Sequence, residues 1–276
     1  MDAAAARRAS VIGRLAGVLL ATAVIAGCTA PVASAGVRLP PTTGAFDYQL
    51  GGTADTPGLA VVARDATATP MPGAYNVCYV NGFQTQPGEG QRWLREHPSA
   101  VLRDGGEPVT DPDWPDEYVL DPSSAPQRAV ILGVLGPVVS RCADQGFDSV
   151  EIDNFDTFTR FDGVDRAGAL ELARAYARIA HDRGLAIGQK NAAESTESGR
   201  HDVGFDFAVA EECATYDECG RYRTVYGDHV LQIEYVDDLP SPFDAVCASP
   251  ERAPLTILRD RDLVARGTKG FVYAQC

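Results

Sequence analysis

The sequence contains no Cys-x-x-Cys, no GxGxxG after a strand-like run, no GxSxG, no HExxH and no P-loop. Zinc ribbons, dinucleotide-binding open sheets, serine hydrolases, zinc proteases and NTPases therefore lack their defining residues. Histidine is scarce, and His97, His181, His201 and His229 stand at no metal-binding spacing. No metal and no other cofactor is expected. Basic residues are also few, 24 Lys and Arg against 38 Asp and Glu, for a formal charge of −14. Such a field repels nucleic acid and anionic lipid; it either serves solubility alone or draws in a cationic polymer.

Only the first 27 residues hold a long apolar run. Arg7, Arg8 and Arg14 precede or interrupt it, and Leu15 to Ala26 is apolar. This is the pattern of a secretory leader, too short to span a bilayer. It ends in Ile25-Ala26-Gly27-Cys28, which resembles the bacterial lipobox, so Cys28 is the expected lipid-bearing first residue of an exported, membrane-anchored protein. The alternative is an ordinary cleaved leader and a secreted protein. Removing residues 1–27 takes away three arginines and one aspartate, so −14 becomes −16. Six cysteines remain after Cys28. An even number in an exported chain favours disulfides, with Cys213 to Cys219, Cys247 to Cys276 and Cys78 to Cys142 as the expected pairs.

Residues 28–44, rich in Ala, Pro and Thr, read as a tether. From 45 to 276 there is no second linker, which suits one domain. Strand-like runs occur at 46–50, 59–65, 74–80, 148–153, 185–190, 205–211, 229–235 and 255–258, and 271–275 competes for the last place. Helical spacing separates several of them. In 125–146, Ile131, Val134, Leu135, Val138 and Cys142 form one face, with Pro137 a site for a kink; a second helix is predicted over 166–182, closed by Gly184. Near-continuous apolar strands alternating with helices predict a parallel sheet, and eight of them predict an α/β fold of the (β/α)8 barrel type. The connection from Gly82 to Pro126, with Trp93, Trp114 and Tyr118, reads as a wall over the barrel mouth.

In such a barrel the carboxyl ends of the strands face the active site. Here VEIDN, AIGQKN and AVAEEC end in acids and amides, and LQIEY carries Glu234 near its end. Asp153, on the fourth strand, faces the same layer as an acid of the sixth, Glu211 or Glu212, between which alternation alone does not choose. Paired carboxylates point to glycoside hydrolysis, retaining at roughly 5–5.5 Å separation or inverting at roughly 6.5–9.5 Å. The competing roles are structural: Glu151 as the partner of Lys190 or an arginine, Asp148 and Asp156 as turn or cap residues.

The motifs FDYQLGG, YNVCYVNGF, WPDEYVLD, GFDSVEIDNFD, AHDRGLAIGQKN, FDFAVAEECATYDEC and LQIEY, in this order, resemble those of the endo-α-1,4-polygalactosaminidases, glycoside hydrolase family 114, over residues 46–260. The resemblance implies a cofactor-free barrel hydrolysing α-1,4-linked galactosamine polymers of exopolysaccharide and biofilm matrix. It implies Asp153 as nucleophile and Glu211 as acid/base, with Asp47 or Tyr48, Asn154, Lys190, Asn191 and Glu234 lining the pocket. Spare carboxylates (Glu151, Asp156, Glu212, Glu234) would take a cationic amino-sugar chain, and Trp114 and Tyr118 are candidates to stack on sugar faces. Where the family has a small-residue stretch leading to an acid, this chain reads VNGFQTQPGE, with Glu89 the candidate counterpart. A barrel that binds surface polysaccharide without cutting it, and a glycosidase of α-galactosides, are the rival readings; a monomer is expected.

Overall fold

The computed structural model describes residues 36–276. Nine strands form one sheet in sequence order: β1 (Ala45–Gln49), β2 (Leu59–Asp65), β3 (Tyr75–Asn81), β4 (Ser149–Asp153), β5 (Ala186–Lys190), β6 (Phe207–Glu211), β7 (Val230–Tyr235), β8 (Leu255–Arg259) and β9 (Tyr273–Gln275). The first eight are parallel neighbours and β9 is antiparallel to β8. The two segments that compete for the last place in the sequence are thus both strands. The fold is an α/β barrel of the (β/α)8 type, nearly closed, in which β9 fills the seam between β8 and β1: Gln275 accepts from Phe46 N–H, and the Tyr273 hydroxyl donates to Phe46 C=O.

Alternation along the strands sorts the core into two layers. Phe46, Tyr48, Val61, Val77, Val209, Ile233 and Ile257 fill the barrel. Cys78, Val80, Val150, Ile152, Ile187 and Ala208 face outward against the helices. Those helices are α1 (Gly90–Glu96), α2 (Ala125–Gln145), α3 (Arg166–Asp182), α4 (Cys219–Tyr226) and α5 (Phe243–Ala248). A capping box of Ser124 and Gln127 starts α2, and Gly146, at φ 93°, ends it; both are local sequence effects. The helix runs on through Pro137. Its buried face is Ile131, Leu135, Val139 and Cys142, so Val134 and Val138, expected inside, stand at its edge. The connections 50–58 and 66–74 carry no helix. The outer face of β1 and β2 is covered instead by a polar network in which Arg64 donates to Gln49, Thr69 and Asp55.

The connection between Asn81 and Ala125 is a folded unit. It holds α1, a short hairpin pairing Arg103–Asp104 with Glu107–Pro108, and bridges between Gln84 and Val119 and between Val101 and Leu120. Three disulfides join Cys78 to Cys142, Cys213 to Cys219 and Cys247 to Cys276, as expected. Part of the stretch assigned to the tether is not free: Val37 and Leu39 pack on the barrel core, Tyr75 donates to Arg38 C=O, and Arg38 pairs with Asp148. The chain therefore enters at the amino-terminal ends of the strands, away from the mouth. None of the described helices is long and apolar enough to cross a membrane.

Candidate active site

At the carboxyl ends of β3 to β7, five inward side chains meet: Tyr79, Asp153, Lys190, Glu211 and Tyr235. The Lys190 ammonium lies 3.1 Å from Asp153 Oδ1 and 3.1 Å from Glu211 Oε2, and it donates to the Tyr48 hydroxyl at 3.2 Å. Two of its hydrogens are thereby given, to Asp153 Oδ1 and the Tyr48 hydroxyl, while Glu211 is held as an ion pair. Tyr79 donates its hydroxyl to Asp153 Oδ2, and Tyr235 donates to Glu211 Oε1 at 2.5 Å. Asn154 N–H bonds Asp153 Oδ1 at 2.8 Å, and Asn191 holds Glu211 through both its side-chain amide and the Glu211 N–H.

Backbone geometry marks the same places. Asn154, Asn191, Ala192 and Glu212 have φ of 63°, 51°, 59° and 57°, each just past the end of β4, β5 or β6. Non-glycine residues in this region are sparse and gather where function demands the turn. Gly82, just after β3, allows the close approach of that strand's end to β4: a Cβ there would lie 2.3 Å from Ile152 Cγ2.

The electrostatics follow from burial and neighbours. Burial pushes the Asp153 carboxyl toward its neutral form, but the Lys190 ammonium, the Tyr79 hydroxyl and the Asn154 N–H outweigh it and hold the pKa below the ordinary value. Lys190 is likewise held charged, since Asp153, Glu211 and Glu151 overcome its burial. Glu151, with no charge-bearing partner in contact, is pushed up to about 7 by burial.

The cleft over these residues measures about 1760 Å³. One arm reaches Arg261, Tyr216 and Leu263; another runs past Trp114 and Glu117 to the edges of α1 and α2. Two acids from different strands, bridged by one cation, thus meet at the mouth of a (β/α)8-type barrel. The sequence profile of glycoside-hydrolase family GH114 matches residues 28–276.

The chain belongs to glycoside-hydrolase family GH114.

As a GH114 member it is a glycoside hydrolase. Its fold resembles that of Aspergillus fumigatus Ega3 in complex with galactosamine, with a TM-score of 0.65 at 20% identity, over 87% of this chain and 98% of that one. The glycoside hydrolase domain of PelA from Pseudomonas aeruginosa gives a TM-score of 0.56 at 16% identity, over 81% of this chain and 96% of that one. No curated protein matches the chain.

Within the GH114 barrel, the cleft is lined by Asp153, Asn154, Asp156, Lys190, Asn191, Glu211, Glu212 and Trp114. Glu211 turns into the mouth, whereas Glu212 turns to Arg261, 2.7 Å away. Five expected lining residues lie elsewhere. Asp47 is buried in the seam, where Arg259 donates to it at 2.7 Å, because its neighbours Phe46 and Tyr48 take the inward positions of β1. Tyr48 sits beneath Lys190 inside the barrel. Glu151 is completely buried one layer below Asp153, accepting from Tyr48 rather than facing the cleft. Glu234 points outward from β7 and braces the loop after Glu211 by accepting from Ala214 N–H at 2.9 Å. Tyr118 packs against α1 instead of lining the cleft. Glu89 lines the cleft at its α1 edge, where it pairs with Arg92 at 3.1 Å.

Several site residues escape the sequence reading. Tyr79 and Tyr235 are aromatic members of apolar strands and carry no sign of their carboxylate partners. Tyr216 is 62% exposed at the rim, within the loop that the Cys213 to Cys219 bridge closes. Glu117 lies inside WPDEYVLD, but only the folding of the long connection brings it to the cleft.

Proposed function

We propose that the protein is an exported hydrolase of α-1,4-linked galactosamine polymers, with Asp153 as nucleophile and Glu211 as acid/base. The observation that carries this reading is the shared ammonium of Lys190. Two oxygens each 3.1 Å from one nitrogen lie at most about 6.2 Å apart, so the ammonium holds both acids at one point of the cleft. We read the pair as working by the retaining route, in which the second carboxylate is the nucleophile.

On that route Asp153, kept anionic, attacks the anomeric carbon while Glu211 protonates the departing glycosidic oxygen. A covalent glycosyl-enzyme forms and the leaving chain departs. Water, deprotonated by Glu211, then attacks the anomeric carbon and frees Asp153. Tyr79 and Tyr235 hold the two carboxylates in place. The galactosamine in the cited Ega3 complex, together with the acidity of this chain, supports a cationic amino-sugar polymer as substrate.

Three disulfides fit an oxidising compartment. The leader and the lipid-accepting Cys28 lie outside the described residues and complete the proposal of an anchored lipoprotein working as a monomer.

Reducing-end release from α-1,4-galactosaminan tests the reading, with its N-acetylated form and neutral α-galactans as alternatives. Asp153→Asn and Glu211→Gln are each expected to lose roughly 10²–10⁴-fold in kcat. Full activity in either variant, or preference for a neutral galactan, would sink it.

A further inference from the structure

The resemblance supplies spare carboxylates for a cationic chain, but the structure neutralises most of them. Asp156 is 3.1 Å from Arg160, and Arg160 also holds Asp111 at 2.7 Å. Glu212 is taken by Arg261, and Glu234 is turned away from the cleft. Glu117 differs from all of these. The residue is 7% exposed, it lines the cleft, and its one side-chain partner is a neutral amide: Asn81 Nδ2 donates to Oε2 at 2.7 Å.

The same Asn81 accepts from Asn154 Nδ2 at 3.0 Å, and Asn154 directly follows Asp153. Glu117 is therefore tied by two hydrogen bonds, through Asn81, to the residue that directly follows Asp153. Trp114, whose C=O accepts from Glu117 N–H at 2.9 Å, exposes 53% of its surface on the same side of the cleft. One turn of the long connection thus presents an aromatic face and a buried carboxyl side by side.

Resting on the functional reading above, we propose that Glu117 selects a free amino group on the sugar held against Asp153, the unit that becomes the new reducing end. In a 2-amino sugar the ammonium sits on the carbon next to the anomeric one, within reach of a carboxyl adjacent to the nucleophile. A buried carboxyl without a cation is costly, and an ammonium relieves that cost. Burial together with the nearby Asp153 and Asp111 pushes Glu117 up to about 7 against the opposing pull of Asn81 and of Arg160, which is near but pairs with Asp111 and Asp156 instead, so a cation arriving in contact also favours release of its proton. An acetamide supplies no charge, is bulkier, and leaves the carboxyl unmatched; sites that reject a ligand in this way discriminate strongly.

The test uses a half-acetylated α-1,4-galactosaminan with mass spectrometry of the products. Wild-type enzyme is expected to leave free galactosamine at every new reducing end. Glu117→Gln, which keeps an acceptor for Asn81, is expected to leave acetylated and free ends in the proportions of the polymer and to lose roughly 10²-fold in kcat/KM on the deacetylated chain. Glu117→Asp should retain the free-amine preference. Retention of that preference by Glu117→Gln, or mixed ends already in the wild type, overturns the proposal and leaves the functional reading standing. If Glu117→Gln binds but does not cut, calorimetry on deacetylated and acetylated oligomers decides: a ratio of affinities falling toward one supports the assignment, an unchanged ratio overturns it. Wild-type enzyme that cuts no galactosamine polymer overturns the functional reading itself, before any variant is compared.

Discussion

Glu151, Glu117 and Asp156 hold their protons to about 7, about 7 and about 6, each chiefly because burial penalises the anion. In the unfolded chain the same groups titrate near roughly 4. Between these values the folded state binds protons that the unfolded state releases, so stability falls as pH rises through that window. Asp153 works oppositely: its lowered pKa adds stability above the ordinary aspartate value, lost as pH falls below about 4. The unfolding temperature is therefore expected to be higher at pH 5 than at pH 7.5. Glu151→Gln should flatten this slope, by on the order of 3 kcal/mol at most, as followed by thermal melts across that range; an unchanged slope would refute the assignment. At this scale the sequence marks Asp153 and an acid at 211 or 212, since strand ends carry the charge. It misplaces Asp47 and Glu234, because period-2 alternation says which residues share a face but not which face looks down the barrel, and Glu151, because alternation does not say how deep along the barrel a residue lies.

The disulfides act at the level of elements, and differently. Cys78 to Cys142 ties β3 to α2 across 64 residues, whereas Cys213 to Cys219 closes only 6. Loop-closure entropy alone makes the longer bridge worth about 2 kcal/mol more. The double variant Cys78→Ala/Cys142→Ala should thus cost that much more in urea unfolding than Cys213→Ala/Cys219→Ala. Catalysis should show the reverse order, since the short bridge holds the loop bearing Glu212 and Tyr216 beside Glu211. A kcat/KM loss limited to the long-bridge variant would contradict this. The strands were legible from apolar runs, and the helix over 166–182 from its apolar stripe and flanking glycine. The folded unit between β3 and α2 was not, because its two-residue strands and short turns are set by tertiary pairing rather than by periodicity.

For the whole molecule, residues 37–39, among the first described, pack at the end of the barrel opposite the mouth. If Cys28 carries lipid, the wild-type protein should partition into the membrane fraction and take up labelled fatty acid, and Cys28→Ala should appear soluble outside the membrane; wild-type protein free in the medium would rule the anchor out. Sequence by itself determined the eight parallel strands, the even set of cysteines and the acids at the strand ends, all local patterns that the spacing of neighbouring residues records. Only the tertiary structure decided that β9 closes the seam, that Lys190 bridges Asp153 and Glu211, that arginines at 160 and 261 neutralise the supposed spare acids, and that Glu117 remains in the cleft without a cation. Each depends on side chains brought together from distant parts of the chain, and which counter-charge a carboxylate meets is written in the packing of strands and loops rather than in its sequence neighbours.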